Sequence, residues 1–165
     1  MGTCDIREFA EDDWPAVWAI VRSVSAAAET YCYPPHLTEM EGRDIWIEHP
    51  PGLTVIAADA AGSIVGTAKM GPNRPGPGSH VATASFMVAE GARGFGVGRA
   101  LGLYALDWGH RLGYRAMQFN AVVETNRPAV RLWQDLGFEI VGTVPEAFSH
   151  PTAGYVGLHV MHRRL

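Results

Sequence analysis

The chain has 165 residues, 47% hydrophobic and 18% charged, with 13 Lys and Arg against 17 Asp and Glu for a net charge of −4. These values fit one globular domain with a sizeable core, taken here as residues 1–165. No apolar run approaches the about 18 residues of a membrane span, and the charge balance draws the chain toward neither nucleic acid nor an anionic membrane.

The opening MGTCDIREFAEDDWP lacks the basic-then-apolar order of a secretory signal, and Ile6 stands where a myristoylation start needs Ser or Thr. Cys4 and Cys32 read as free thiols of a reducing cytoplasm. CDIREFA reads as a first strand. Asp12 or Asp13 then caps a helix with Pro15 in its first turn, and Trp14, Val17, Trp18, Val21 and Val24 form its apolar face. TYCYPPH is a proline-locked loop. A second helix is expected from Thr38, boxed by Glu41, to about His49.

LTVIAAD and SIVGTAKM, joined by AAG, predict a hairpin, and GPNRPGPGS an exposed loop. HVATASFMVA is a long strand and Val97–Leu112 a helix carrying Leu101, Tyr104, Ala105 and Trp108 on one side. AMQFNAVV is a strand, RPAVRLWQDLG a helix ended by Gly137, and FEIVGTVPEAF and YVGLHVMHR are the last two strands. The order is βα(α)βββαβαββ, a mixed α/β (α+β) fold.

The informative stretch is FMVAEGARGFGVGRALG. A strand ends at Val88 or Ala89, three spaced glycines follow, and a helix begins at once. Glycines let backbone amides close on an anion at the positive end of the helix. Arg93 and Arg99 flank those amides, so the expected ligand is a pyrophosphate or phosphate ester. A nucleoside-triphosphate loop needs Lys and Ser/Thr after Gly96, where Val97 and Gly98 stand. A dinucleotide loop needs a third glycine where this chain has Arg99 or Leu101, depending on the frame. Both templates fail on spacing.

Arg93-Gly94-Phe95-Gly96-Val97-Gly98 satisfies R/Q-x-x-G-x-G/A in full, and the segment from Asn126 to Phe138 matches N-x-x-A-x-x-[LF]-Y-x-x-L-G-F except for Trp133 at the tyrosine. In these two motifs, which cover about the last half of the chain, the sequence resembles the GNAT superfamily of N-acetyltransferases. The resemblance implies a central mixed sheet of six to seven strands flanked by helices, with two parallel strands splayed around acetyl-CoA. It places the pantetheine on Phe86, Met87 and Val88 and the pyrophosphate on the amides of Arg93, Gly94, Phe95, Gly96, Val97, Gly98 and Arg99. Asn126 caps the second helix and meets the pantetheine arm, Ala129 leaves room for it, and Trp133 packs against it or the core. Arg127 and Arg131 add charge near the adenosine phosphates, or Arg131 pairs with Asp135 on the helix surface.

The resemblance further implies direct attack by an amine in a ternary complex, the thioester carbonyl being polarised by an amide near Val88. An indole at position 133 supplies no acid, so a proton donor is sought elsewhere: Tyr31, Tyr33 or Tyr155, each of which also reads as packing at the cleft mouth. Gln118, Asn120, Val122 and Glu124 share one face of their strand by alternation. Asn120 meets either a substrate or a neighbouring backbone, while Glu124 relays a proton or caps the next helix. Tyr31, Asn120 and Glu124 are thus the catalytic candidates. Cys32 would be the nucleophile of a ping-pong scheme, or simply a half-buried thiol. The histidines show no ligand spacing, so no metal is expected. The acceptor expected is a small amine such as an amino acid, with a protein N-terminus or lysine as the alternative and an acyl-CoA sensor behind them. A homodimer is a further expectation of the resemblance.

Overall fold

The computed structural model describes residues 4–165. Its elements are β1 (Asp5–Glu8), α1 (Trp14–Ala27), α2 (Glu39–Trp46), β2 (Leu53–Ala58), β3 (Ile64–Pro72), β4 (Val81–Val88), α3 (Val97–Arg111), β5 (Ala116–Val123), α4 (Arg127–Asp135), β6 (Glu139–His150) and β7 (Gly154–Arg164). All seven strands join one sheet in the order β1-β2-β3-β4-β5-β7-β6, so the expected mixed sheet flanked by helices is present.

Asp13 stands at the N-cap of α1, but its carboxylate does not cap the helix. It accepts instead from the Arg7 guanidinium at 2.6 and 2.7 Å and from the Ala10 N–H at 2.8 Å, tying β1 to the helix start. Thr38 and Glu41 form the expected capping box, with the Thr38 N–H donating to Glu41 at 2.8 Å. Helix α2 ends at Trp46, three residues short of His49. There the Thr54 hydroxyl takes over, accepting from the Glu48 N–H and donating to the Trp46 carbonyl. His49 also precedes a proline, which disfavours helical backbone.

Strand β3 runs two residues into the predicted loop, with Gly71 opposite Thr83 and Pro72 opposite Ala82. Proline is tolerated because the edge its missing N–H would serve is vacant: β2 stops at Leu53, opposite Met70. In the last hairpin, a register shift between Val144 and Phe148 absorbs Pro145 and the positive φ of 52° at Glu146.

The sheet separates two apolar layers. On one side Val97, Leu101, Ala105 and Trp108 of α3 and Trp133 and Leu136 pack on Val55, Ala57, Ala68, Met117 and Met161. On the other, Trp14, Val17, Ile20, Val21 and Val24 of α1 and Trp46 cover Ile56 and Met87. Among the described residues the single parallel pair is β4 with β5, and its ladder holds only Val81 opposite Ala116 and Ala82 opposite Met117. Beyond Ala82 the two strands part.

Candidate active site

Parity along β4 determines what that parting exposes. The Ala89 N–H donates to the Val65 carbonyl and the Asn73 N–H to the Val81 carbonyl, so odd-numbered residues of β4 face β3. The peptide groups of Ala84, Phe86 and Val88 therefore turn toward the gap, with no strand opposite. A cleft of about 910 Å³ fills this gap and runs from the glycine turn to the α1–α2 loop.

At the glycine end, β4 gives way to a single 3-10 turn (Glu90–Ala92) before Arg93. Gly94 and Gly96 have φ of +83° and +89°, backbone that L side chains rarely adopt. Gly96 is the N-cap of α3 and brings no side chain to its first amides, which are left for a ligand. A Cβ on Gly98 would lie 3.4 Å from Leu132, so glycine there also lets α3 approach α4.

Of the thirteen expected donor-binding residues, Phe86, Met87, Val88, Arg93, Gly94, Gly96, Gly98, Arg99, Asn126, Ala129 and Trp133 line the cleft. Phe95 and Val97 do not. The Phe95 side chain is 71% exposed, and Val97 is buried against the core. Asn126 caps α4, its Oδ1 accepting weakly from the Ala129 N–H at 3.4 Å. Arg131 does not pair with Asp135. That carboxylate accepts instead from Arg99 at 2.9 Å, across the α3–α4 contact. Neither Arg127 nor Arg131 lines the cleft.

Trp133 is 6% exposed and sits among Phe86, Phe119 and Phe138, with ring centroids 4.7, 4.9 and 6.3 Å away. Its benzo edge lies against α3, where a Cβ on Gly102 would stand 3.0 Å from Trp133 Cζ3. The indole N–Hs of Trp14 and Trp46 have partners. That of Trp133 has none among the described residues.

The catalytic candidates are scattered. Tyr31 reaches the splay, where its hydroxyl donates to the Phe86 carbonyl at 2.7 Å and accepts from the Phe86 N–H at 2.8 Å. Burial, with Tyr33 beside it, pushes the Tyr31 pKa well above the usual phenol range. Tyr33 stacks on Tyr31 at 5.2 Å and is pushed up to about 12 by burial. Tyr155 lies away from the cleft and is 73% exposed.

Asn120 lines the cleft, but its partners are side chains rather than backbone. It accepts from Gln118 at 2.8 Å and donates to Asn73 at 2.6 Å. The expected alternation from Gln118 to Glu124 fails because β5 bulges between Phe119 and Val122. Phe119, Asn120, Ala121, Val122 and Val123 consequently all touch the cleft, whereas Glu124 does not. Glu124 instead accepts from the Gly157 N–H at 2.5 Å. Cys32 is a free thiol at the cleft wall, exposed rather than half-buried, its pKa raised by partial desolvation. Sequence reading passed over Thr30, Thr83 and Ser85. The signal for the last two was present: hydroxyl residues two apart in an otherwise apolar strand.

The model of the acetyltransferase (GNAT) family matches residues 6–138. The chain belongs to that family. It is 34% identical to the N-acetyltransferase aca1 of Schizosaccharomyces pombe over 97 residues, 59% of this chain and 46% of that protein. The match thus spans less than half of that relative. Solved structures share nearly the whole length. The GCN5-related N-acetyltransferase from Kribbella flavida is 57% identical, with a TM-score of 0.95 and 98% of each chain covered. The ribosomal-protein-alanine N-acetyltransferase from Brucella melitensis is 27% identical, with a TM-score of 0.83 and 98% of this chain and 99% of that one covered. Family membership supports acetyl-CoA as the acyl donor and acyl transfer as the reaction class. Among the described residues, no helix is long and apolar enough to cross a membrane.

Proposed function

We propose that this chain transfers the acetyl group of acetyl-CoA to the amine of a small molecule by direct attack in a ternary complex. The observation that carries this reading is the continuity of the cleft. One cavity joins the glycine turn to the α1–α2 loop, and the unpaired edge of β4 runs between them. A donor anchored by phosphates at Arg93–Arg99 meets an acceptor entering at Thr30–Tyr33 on that edge.

In this reading the Val88 N–H, free of any strand partner, polarises the thioester carbonyl, and the gain lies in the charge that develops on its oxygen. The amine lone pair forms the N–C bond, the C–S bond breaks, and the pair goes to sulfur. The proton shed by nitrogen passes to water or to that sulfur. Tyr31 holds its proton on the Phe86 carbonyl and serves to fix the strand edge. Trp133 offers an N–H beside the donor but no acid, so sulfur departs as a thiolate. Cys32 is solvent-exposed, but no cation depresses its pKa and partial desolvation raises it, so little thiolate is present, which supports direct attack over ping-pong transfer.

A protein N-terminus is the second reading, favoured by the 27% identity to the ribosomal-protein-alanine enzyme. Thiol release from acetyl-CoA, followed by absorbance, tests both. Turnover with small amines and none with peptides bearing N-terminal alanine supports the first; the reverse result overturns it. Tight acetyl-CoA binding with no release from any amine would make the chain an acyl-CoA sensor.

A further inference from the structure

The acceptor end of the cleft has a distinct chemical character. Thr30, Tyr31, Cys32 and Tyr33 wall it from the α1–α2 loop, and Thr83 and Ser85 from β4. Ser85 lies beside both phenols. The only charged side chains among the described cleft-lining residues are Arg93 on the glycine turn and Arg99 in the first turn of α3, both at the opposite end. Of the residues walling the acceptor end, the titratable ones are Tyr31, Cys32 and Tyr33, neutral acids at neutral pH whose pKa values desolvation raises further, Cys32 being the exposed one of the three. Glu48 acts on Tyr33 from outside the lining, and its charge is tied to Lys69 at 3.2 Å. Lys69 is engaged in turn by the Ile45 carbonyl at 2.6 Å.

A ligand at this end therefore meets hydroxyls, the Asn120 amide, a thiol and aromatic faces, but no free charge of either sign among the described lining residues. Moving an ammonium or a carboxylate out of water into such a site leaves it without a counter-ion, which is strongly unfavourable. No carboxylate here stands ready to strip a proton from a bound ammonium. An attacking nitrogen must therefore arrive with its lone pair already free.

Resting on the acetyl transfer proposed above, we infer that the acceptor is a monoamine whose remaining part carries no formal charge, taken up as the free base between the Tyr31–Tyr33 stack and the Thr83–Ser85 side of β4. Diamines, polyamines and free amino acids fall outside this class; uncharged aryl-alkyl amines and amino-acid amides fall within it. The balance is RNH2 + acetyl-S-CoA → RNH-acetyl + CoA-SH, the amine proton ending on sulfur or solvent. The dependence of kcat/KM on pH then follows the amine being acetylated, since the lining side chains of the acceptor end among the described residues are hydroxyls, phenols, a thiol and an amide.

The test uses the full chain and acetyl-CoA with 2-phenylethylamine and phenylalanine amide, 1,4-diaminobutane and spermidine, and glycine and phenylalanine. The uncharged-tail amines are expected to exceed both charged sets at least tenfold in kcat/KM. Their pH profiles should rise to the acceptor's own pKa and move when a less basic amine is used. Ser85→Asp, which adds a carboxylate at that end, should narrow the gap to 1,4-diaminobutane. Wild-type preference for a diamine or a free amino acid, or one pH profile shared by amines of different pKa, overturns the inference and leaves acetyl transfer standing. Absence of thiol release from every amine, with acetyl-CoA binding intact by calorimetry, overturns the transfer reading and the inference with it.

Discussion

The Tyr31 hydroxyl holds both backbone polar groups of Phe86, donating to its carbonyl at 2.7 Å and accepting from its N–H at 2.8 Å. A side chain from the α1–α2 loop thereby takes the place of the missing strand at one rung of the splay. Tyr31→Phe keeps the ring stacked on Tyr33 but leaves both Phe86 groups to water. The expected cost is about 1–3 kcal/mol, read as a fall of several degrees in Tm. An acid-catalyst role would remove a limb of the pH–kcat profile; a positioning role lowers kcat without changing the shape of that profile.

Gly96 combines a φ of +89° with open space around its Cα. Gly96→Ala therefore meets no clash, and its penalty is conformational, about 1–3 kcal/mol for a non-glycine residue held in that region. Because the strain falls on the turn that presents the α3 amides, acetyl-CoA affinity should drop about tenfold or more. Titration calorimetry checks this.

Arg99 divides its charge between the cleft and Asp135, 2.9 Å away on α4. Asp135→Asn frees the guanidinium for the donor's phosphates. Acetyl-CoA should then bind a few-fold more tightly at low ionic strength, the gain shrinking as salt screens it. Arg93→Ala, which removes the other arginine of the turn, should weaken binding by about 1.5–3 kcal/mol.

Asp13 is buried, and the hydrogen bonds from Arg7 hold its carboxyl below the usual carboxylate range. A lowered folded-state pKa means that the contribution is complete above the unfolded value, about 4. It is lost as pH falls toward and through the lower folded value. Acid unfolding followed by circular dichroism should show Asp13→Asn less stable than the parent at pH 7, with the difference closing in acid.

Helices α3 and α4 approach closely at Gly102, where a Cβ would lie 2.7 Å from Leu136 Cδ1 and 3.0 Å from Trp133 Cζ3. Gly102→Ala overpacks this contact at a cost of about 1–3 kcal/mol. The fluorescence of Trp133 should shift with it, since the indole has no room to remain in place.

Local chemistry was legible in the sequence: the Thr38–Glu41 box, the Gly137 C-cap, the Arg93–Gly98 turn that opens α3, and the Asn126 cap of α4. Each depends on residues within a few positions of one another, so spacing alone specifies it. What required the tertiary structure involves partners far apart in the chain. Tyr31 finds Phe86 across 55 residues, Asn120 finds Asn73 across 47, and Arg99 takes Asp135 across 36 from the nearer Arg131. The bulge in β5 breaks the alternation that would put Glu124 on one face with Asn120. Strand order and register decide such pairings, and they follow from the central strands burying both faces at once rather than from any one segment.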